Sequence, residues 1–593
     1  MNKAKAMRRI NPEQETSERI LAAAGKIPPE LILKNGRVLN VFTNQLVKND
    51  IAIYQGHIVW VGNYSKEDTG DIDTTNETLI VDCTDRIICP GFIDGHIHIE
   101  SSMLSPNEFA RAVVPHGTTA VVTDPHEIAN VAGEDGINYM LSGSKDLPLT
   151  VYLMMPSCVP STSIEEAGAV LEADNLRGYM DEPRVLGLAE LMNSFGTIHA
   201  DENIIRKICL ATEGNKLIDG HGPGLTEKEL NAYVTAGVTS DHECTTLEEA
   251  MMKLSRGQWI MIREGTAARN MHALMPLFDD PYCNRCMLVT DDRHPGDLLI
   301  KGHMDYLIKM AIQYGADPIK AVKMATLQPA LYFGLKRRGA VAPGYIADLV
   351  IIDDLNKFSI LQVYKEGKLV ASEGNYILSH LNPVEMSPRV YDSFQMKELA
   401  EHDFTIKETG KQLRVIEIVP GELLTRLYTD EYREPGVDIS KDIVKLAVVE
   451  RHHHTGHIGL GFLKGYGLNE GAIASSIAHD SHNLIIAGTN DEDMCAAGNC
   501  VRKNKGGIAI ALHGKIIGEL ALPIAGLMCD ESAQMVDETL KALKGCAKGM
   551  GISPEIDAFM TLAFLSLPVI PEIRLTSFGL VDVKNQQLIS PIV

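Results

Sequence analysis

PGFIDGHIHIESSM, residues 90–103, is an apolar run that ends in two histidines one residue apart. In a strand, side chains alternate between faces, so His96 and His98 project to the same side. An H-x-H alone is more often incidental than a ligand pair. The residues further along the chain give it weight.

From residue 87 to about 290 apolar, β-branched segments alternate with helical ones. Eight strand candidates can be counted: 87–97, 119–123, 150–155, 185–189, 216–219, 237–240, 259–262 and 287–290. Such character suits strands buried on both faces of a parallel sheet. Eight βα units in about 250 residues fit a (β/α)8 barrel, with a doubly wound open sheet as the alternative. Barrel enzymes place their chemistry at the C-terminal ends of the strands. There the sequence puts His96 and His98 after the first strand and Glu190 after the fourth. His221 follows the fifth, His242 the sixth and Asp291 the eighth. Each has a bland reading on its own, as a turn residue or an interior ion pair. Independent accidents would not place ligand-type residues at five strand ends in order. Imidazole and carboxylate together suit Zn, Fe, Mn or Ni, and six ligands exceed one tetrahedral site. Alternation at the end of the eighth strand aims Asp291 into the rim and Asp292 away from it.

The flanks are different. Residues 11–26 read as a short helix, with Asn11 as cap and Pro12 in the first turn. From Glu30 short β-rich runs are separated by Gly, Asn and Asp, and a matching stretch returns at 344–374. The division expected is therefore 1–88 for the helix and the first part of a small β domain, and 89–336 for the barrel. Residues 337–384 return to complete the β domain, and 385–593 form a C-terminal α+β domain. That last part holds strands such as RVIEIVP and GIAIALHGKIIGEL, and a helix in ESAQMVDETLKALKG. RHHHTGH (451–457) reads as a solvated loop, and the histidines of HDSHN (479–483) read as turn or packing residues; none is taken as a ligand.

Composition narrows the function classes. The chain has 593 residues, of which 45% are hydrophobic and 22% charged, an ordinary soluble pattern. Its net charge of −23 disfavours a nucleic-acid partner. Eleven cysteines, an odd and scattered set whose only C-x-x-C is Cys283 and Cys286, are neither a disulfide framework nor a zinc ribbon. The basic opening MNKAKAMRRI is followed by polar sequence, and the apolar stretch 558–570 is too short to span a membrane. The expectation is a cytoplasmic protein with no membrane partner, and a homodimer as the commonest symmetric oligomer.

PGFIDGHIHIESSM resembles the first-strand motif of the amidohydrolase superfamily. With GTTAVVTDPHEIANV, GLAELM, DGHGPG, MIREGTAARN and LVTDDRHP, the chain is similar along nearly its whole length to the members that deaminate free adenine. The combination of HIESSM and TDPHEIANV is the most specific part. The resemblance implies that His96, His98, Glu190, His221, His242 and Asp291 are metal ligands, with Glu190 bridging where many relatives carry a carboxylated lysine. It implies a centre of two divalent ions, Mn or Fe, with Zn also accepted by these ligands, and a small purine base as substrate. Asp291 would be a catalytic base. Glu264 and Glu127 are the candidates for protonating the ring, with Glu127 and Arg263 as substrate-binding residues. For each carboxylate the competing reading is a structural ion pair, for Glu264 with Arg263 or another basic neighbour. DHEC around His242 departs from the expected neighbours, although the histidine is present. Two competing readings are another amidohydrolase acting on a cyclic amide or a different aminopurine, and a metal-binding scaffold without catalysis.

Overall fold

The first strand expected from the sequence, 87–97, is two strands in two different sheets. The computed structural model describes residues 11–65, 78–266, 268–378, 384–406, 410–419, 423–433, 435–553 and 555–593; the basic opening MNKAKAMRRI lies outside them. Ile87–Pro90 pairs with Arg37–Asn40 and Leu349–Ile352, whereas Phe92–His98 enters the barrel. The switch falls at Gly91. Its amide donates to the Asp348 carbonyl, while that of Phe92 donates to Gly117. A side chain on Gly91 would collide with Thr119, so the chain changes sheets where only glycine fits.

The barrel strands are β1 (Phe92–His98), β2 (Thr118–Thr123), β3 (Thr150–Met155), β4 (Val185–Leu191), β5 (Leu217–Gly220), β6 (Ser240–Asp241), β7 (Trp259–Arg263) and β8 (Cys286–Val289, continued by Asp291–Asp292). Neighbours from β1 to β5 pair in parallel, as do β6, β7 and β8. The ring closes at two places. The Thr239 amide donates to Ile218 of β5 at 2.9 Å, and Asp291–Asp292 pairs with Ile97–His98 of β1. Inside, Ile93, Val122, Met154, Met261 and Met287 form an apolar plug. Tyr332 and Phe333 close it near the starts of the strands, where Tyr332 packs on Trp259. The opposite, C-terminal rim is left for polar residues, as barrels require.

Two further layers flank the barrel. A small β domain is built from both sides of it. Its seven-stranded sheet joins Arg37–Asn40, Gln45–Lys48 and Ile87–Pro90 to the returning strands Leu349–Ile352, Ile360–Lys365, Lys368–Ser372 and Asn375–Tyr376. A four-stranded sheet lies beside it, and the helix Pro12–Ala23 is capped by Asn11, whose side chain accepts from the Glu13 amide. The C-terminal domain holds an eight-stranded sheet with helices Asp491–Lys503 and Ala533–Gly549. Backbone bonds between Met103 or Ser105 and Cys529 tie it to the barrel. The apolar stretch near the C-terminus contains the short helix Ala558–Phe564, and no helix among the described residues is long and apolar enough to cross a membrane.

The close strand packing is directly testable. A side chain at Gly187 of β4 would run into the Leu217 carbonyl, whereas at Gly178 it would meet nothing within 4 Å. Gly187→Ala is expected to destabilise by about 1–3 kcal/mol, as overpacking does. Its thermal midpoint should fall while that of Gly178→Ala stays at the wild-type value.

Candidate metal centre

Glu190 is the last buried carboxylate of β4, 4% exposed, and four imidazoles surround it. His221 Nδ1 lies 2.8 Å from its Oε2 and His242 Nε2 3.1 Å from the same oxygen. On the other oxygen, His98 Nε2 and His126 Nδ1 each stand at 3.5 Å. Burial alone would push the Glu190 carboxyl up, but the hydrogen bonds and charges of His221 and His242 outweigh it and keep the group ionised.

Asp291 completes the group. Its Oδ1 lies 3.2 Å from His98 Nε2 and 3.6 Å from His96 Nε2. Its Oδ2 accepts from Arg263 Nη1 at 2.7 Å. Burial opposes ionisation here too, and is outweighed by Arg263 first, then by His96 and His98. The Asp291 backbone has φ of +58°, a left-handed conformation that Asp tolerates better than most residues. Such strain, of order 1–3 kcal/mol, gathers at functional sites. It also overturns one expectation. Asp292 does not point away: a carboxylate oxygen of Asp292, one of Asp291 and a ring nitrogen of His98 lie within 4.8 Å of one another, because the left-handed residue breaks strand alternation. Ser101 Oγ donates to Asp292 Oδ1 at 2.5 Å.

The donor set fits divalent ions. Bonds of about 2.0–2.2 Å place neighbouring ligands roughly 3.0–3.5 Å apart, which is the spacing of these nitrogens and oxygens. His96 Nε2 is buried with no hydrogen-bond partner among the described residues, as a ligand nitrogen is before it meets an ion. His98 turns its Nδ1 to the Asp124 carbonyl at 3.1 Å, which leaves Nε2 facing the carboxylates. The neighbouring carboxylates also raise the basicity of His98, His126, His221 and His242 against the effect of burial.

Some neighbours are not evident from the sequence. Asp124 and His126 lie in TDPHEIANV, where only Glu127 reads as functional; His126 Nδ1 sits 2.9 Å from Asp124 Oδ2. Glu243, in the unfamiliar DHEC, pairs with Arg263 and lies 3.3 Å from His242. An acidic residue directly after a ligand-type histidine was the available signal. Arg263 is thus bound to Glu243 and Asp291, not to Glu264. Glu264 is not brought into the group: its Oε1 accepts from the Met271 amide, and Arg269, Arg293 and Lys301 are the charges around it. Glu127 adjoins the group, 3.5 Å from His126 Nε2, and is bound by His479 and His482. These two histidines are therefore partners of the barrel. In RHHHTGH, Arg451 and His452 are buried, and His453 and His457 bond to Ala167 and Glu166 of the barrel loop, so the segment is not simply solvated. A cavity of about 430 Å³ runs from Arg263 and Asn270 to Thr425, Met560 and Phe564 of the C-terminal domain. That size suits a small-molecule site.

Residues 87–370 match the amidohydrolase family, and residues 422–587 match the adenine deaminase C-terminal domain. Adenine deaminase 2 of Carboxydothermus hydrogenoformans is 47% identical, over 95% of this chain and 97% of that protein. The adenine deaminases of Desulfatibacillum aliphaticivorans and Geobacillus kaustophilus are 44% and 43% identical, each over 96% of this chain and 98% of its own length.

The Glu190 geometry yields a prediction. Glu190→Gln removes the charge that four imidazoles share. Metal affinity should fall at least ~10–100-fold, the scale on which even outer partners of metal ligands act. Elemental analysis after dialysis reads it; wild-type metal content would exclude a ligand role.

Proposed function

The chain belongs to the adenine deaminase family of amidohydrolases, and from that premise we propose that it hydrolyses adenine to hypoxanthine and ammonia. The observation that carries the reading is the ring of buried His96, His98, Glu190, His242 and Asp291 with half-buried His221, on a barrel rim whose Arg263 also lines a cavity of small-molecule size. We assign His96, His98, Glu190 and Asp291 to one divalent ion and Glu190, His221 and His242 to a second. Mn or Fe suits these donors, and Zn is also accepted. What such a centre supplies when bound is a water acidified towards neutral pH.

The remaining work falls to side chains. Water adds to C6 of the purine, the C6–N bond breaks and ammonia leaves with a proton. Asp291, kept ionised by Arg263, accepts the proton of the attacking water and passes it towards the departing amine. Arg263 holds Asp291 in place, and Glu243 balances the guanidinium from its other side. The ring must gain a proton as charge leaves C6. Glu127 borders the centre through His126, and His479, whose imidazole the Glu127 charge raises to about 9, can replenish a proton that passes through it. Glu264, tied to Met271 and removed from the rim histidines, is the weaker candidate.

Ammonia release from adenine, adenosine and guanine, with protein loaded separately with Mn, Fe or Zn, tests the substrate. Adenine should react and adenosine fail; comparable efficiency on adenosine would refute the free-base reading. Asp291→Asn should keep most of its metal and lose at least ~100-fold in kcat, within the usual scale of acid–base catalysis. Asp292→Asn should lose less, because Asp292 lacks the Arg263 contact.

A further inference from the structure

The loop 476–483 of the C-terminal domain is fastened to the rim of the barrel. His479 Nδ1 donates to Glu127 Oε1 at 2.7 Å, and His482 Nε2 donates to Glu127 Oε2. The tautomer of His482 is fixed from behind. Its Nδ1 accepts from the Ala478 amide at 3.1 Å, so the proton of a neutral ring sits on Nε2. A nitrogen carrying a proton does not ligate a metal. Glu127, His479 and His482 are thus a hydrogen-bonded clamp between two domains, although their atoms lie close enough to hold an ion. His479 is further braced face-on against Phe564, with ring centroids 4.5 Å apart.

The clamp sets the position of the residue between the two histidines. Asp480 is 3% exposed, and its Oδ2 is buried with no hydrogen-bond partner among the described residues. A buried carboxylate oxygen without a donor is destabilising, so its retention calls for a reason. The charged groups around it are His126, Glu127, His479 and Glu190, which places it beside the candidate metal centre. Glu165 and Cys158 of the barrel also feel its charge.

Resting on the proposed function, we propose that Asp480 is a substrate-contacting residue, its free carboxyl oxygen hydrogen-bonding the ring-nitrogen edge of the purine base. The C-terminal domain would then supply a specificity-determining residue to the active site of the barrel. That edge presents an N–H donor, from which a carboxylate oxygen accepts.

Mn-loaded wild type and Asp480→Asn are to be compared for adenine turnover, hypoxanthine affinity by calorimetry, metal content and thermal midpoint. Metal content and midpoint should stay at the wild-type values. The kcat/KM for adenine and the affinity for hypoxanthine should fall about 10- to 100-fold, the scale of a hydrogen bond to a charged group. Unchanged turnover and affinity in Asp480→Asn would overturn the proposal, and so would loss of metal, which would make Asp480 a support of the centre. If the Asn variant does not fold, Asp480→Ser is read by the same measures. Failure of the wild type to act on adenine would instead remove the proposed function itself.

Discussion

Glu190 is one carboxylate, removed from water, with imidazoles from four separate segments closing on its two oxygens. A buried charge survives only where it is paired and hydrogen-bonded, or where it coordinates a metal. Here the partners come from β1 and from the turns after β2, β5 and β6, so the pairing exists only if the barrel closes in register. The continuous polar rim and the apolar plug beneath it are two sides of one arrangement. Ile93, Met261 and Met287 fill the strand interiors, and charge is confined to the strand ends. Below the rim, Asp94 accepts from the Thr290 amide and hydroxyl, which fastens β1 to the segment that presents Asp291.

The same electrostatics extend into the C-terminal domain. Glu127 is buried, and without His479 and His482 its only imidazole neighbour among the described residues would be His126 at 3.5 Å. The barrel therefore presents a charge that the C-terminal domain neutralises. In return, helix Ala558–Phe564 and the segment around Thr425 wall the cavity that leads to Arg263. Covering the rim excludes water and strengthens every charge interaction within it.

Much of this was legible in the sequence, for a physical reason. Parallel barrel strands are buried on both faces, so their ends stand out where an apolar run gives way to His, Asp or Glu. His96, His98, Glu190, His221, His242 and Asp291 could be read in that way. Contacts set by tertiary packing could not. Nothing local distinguishes Gly91, where the chain leaves one sheet for another because Thr119 lies against it. The left-handed backbone of Asp291 removes the alternation that would have turned Asp292 away. His479 and His482 resemble turn residues because their partner, Glu127, lies more than 350 positions away.

The proposed sharing of Glu190 between two ions makes a stoichiometric demand that a single-ion site would not make. Protein stripped with a chelator and titrated with Mn should regain ammonia release from adenine in proportion to added metal, with the break at two equivalents per chain. Full activity at one equivalent, or turnover by metal-free protein, would contradict a centre built around Glu190.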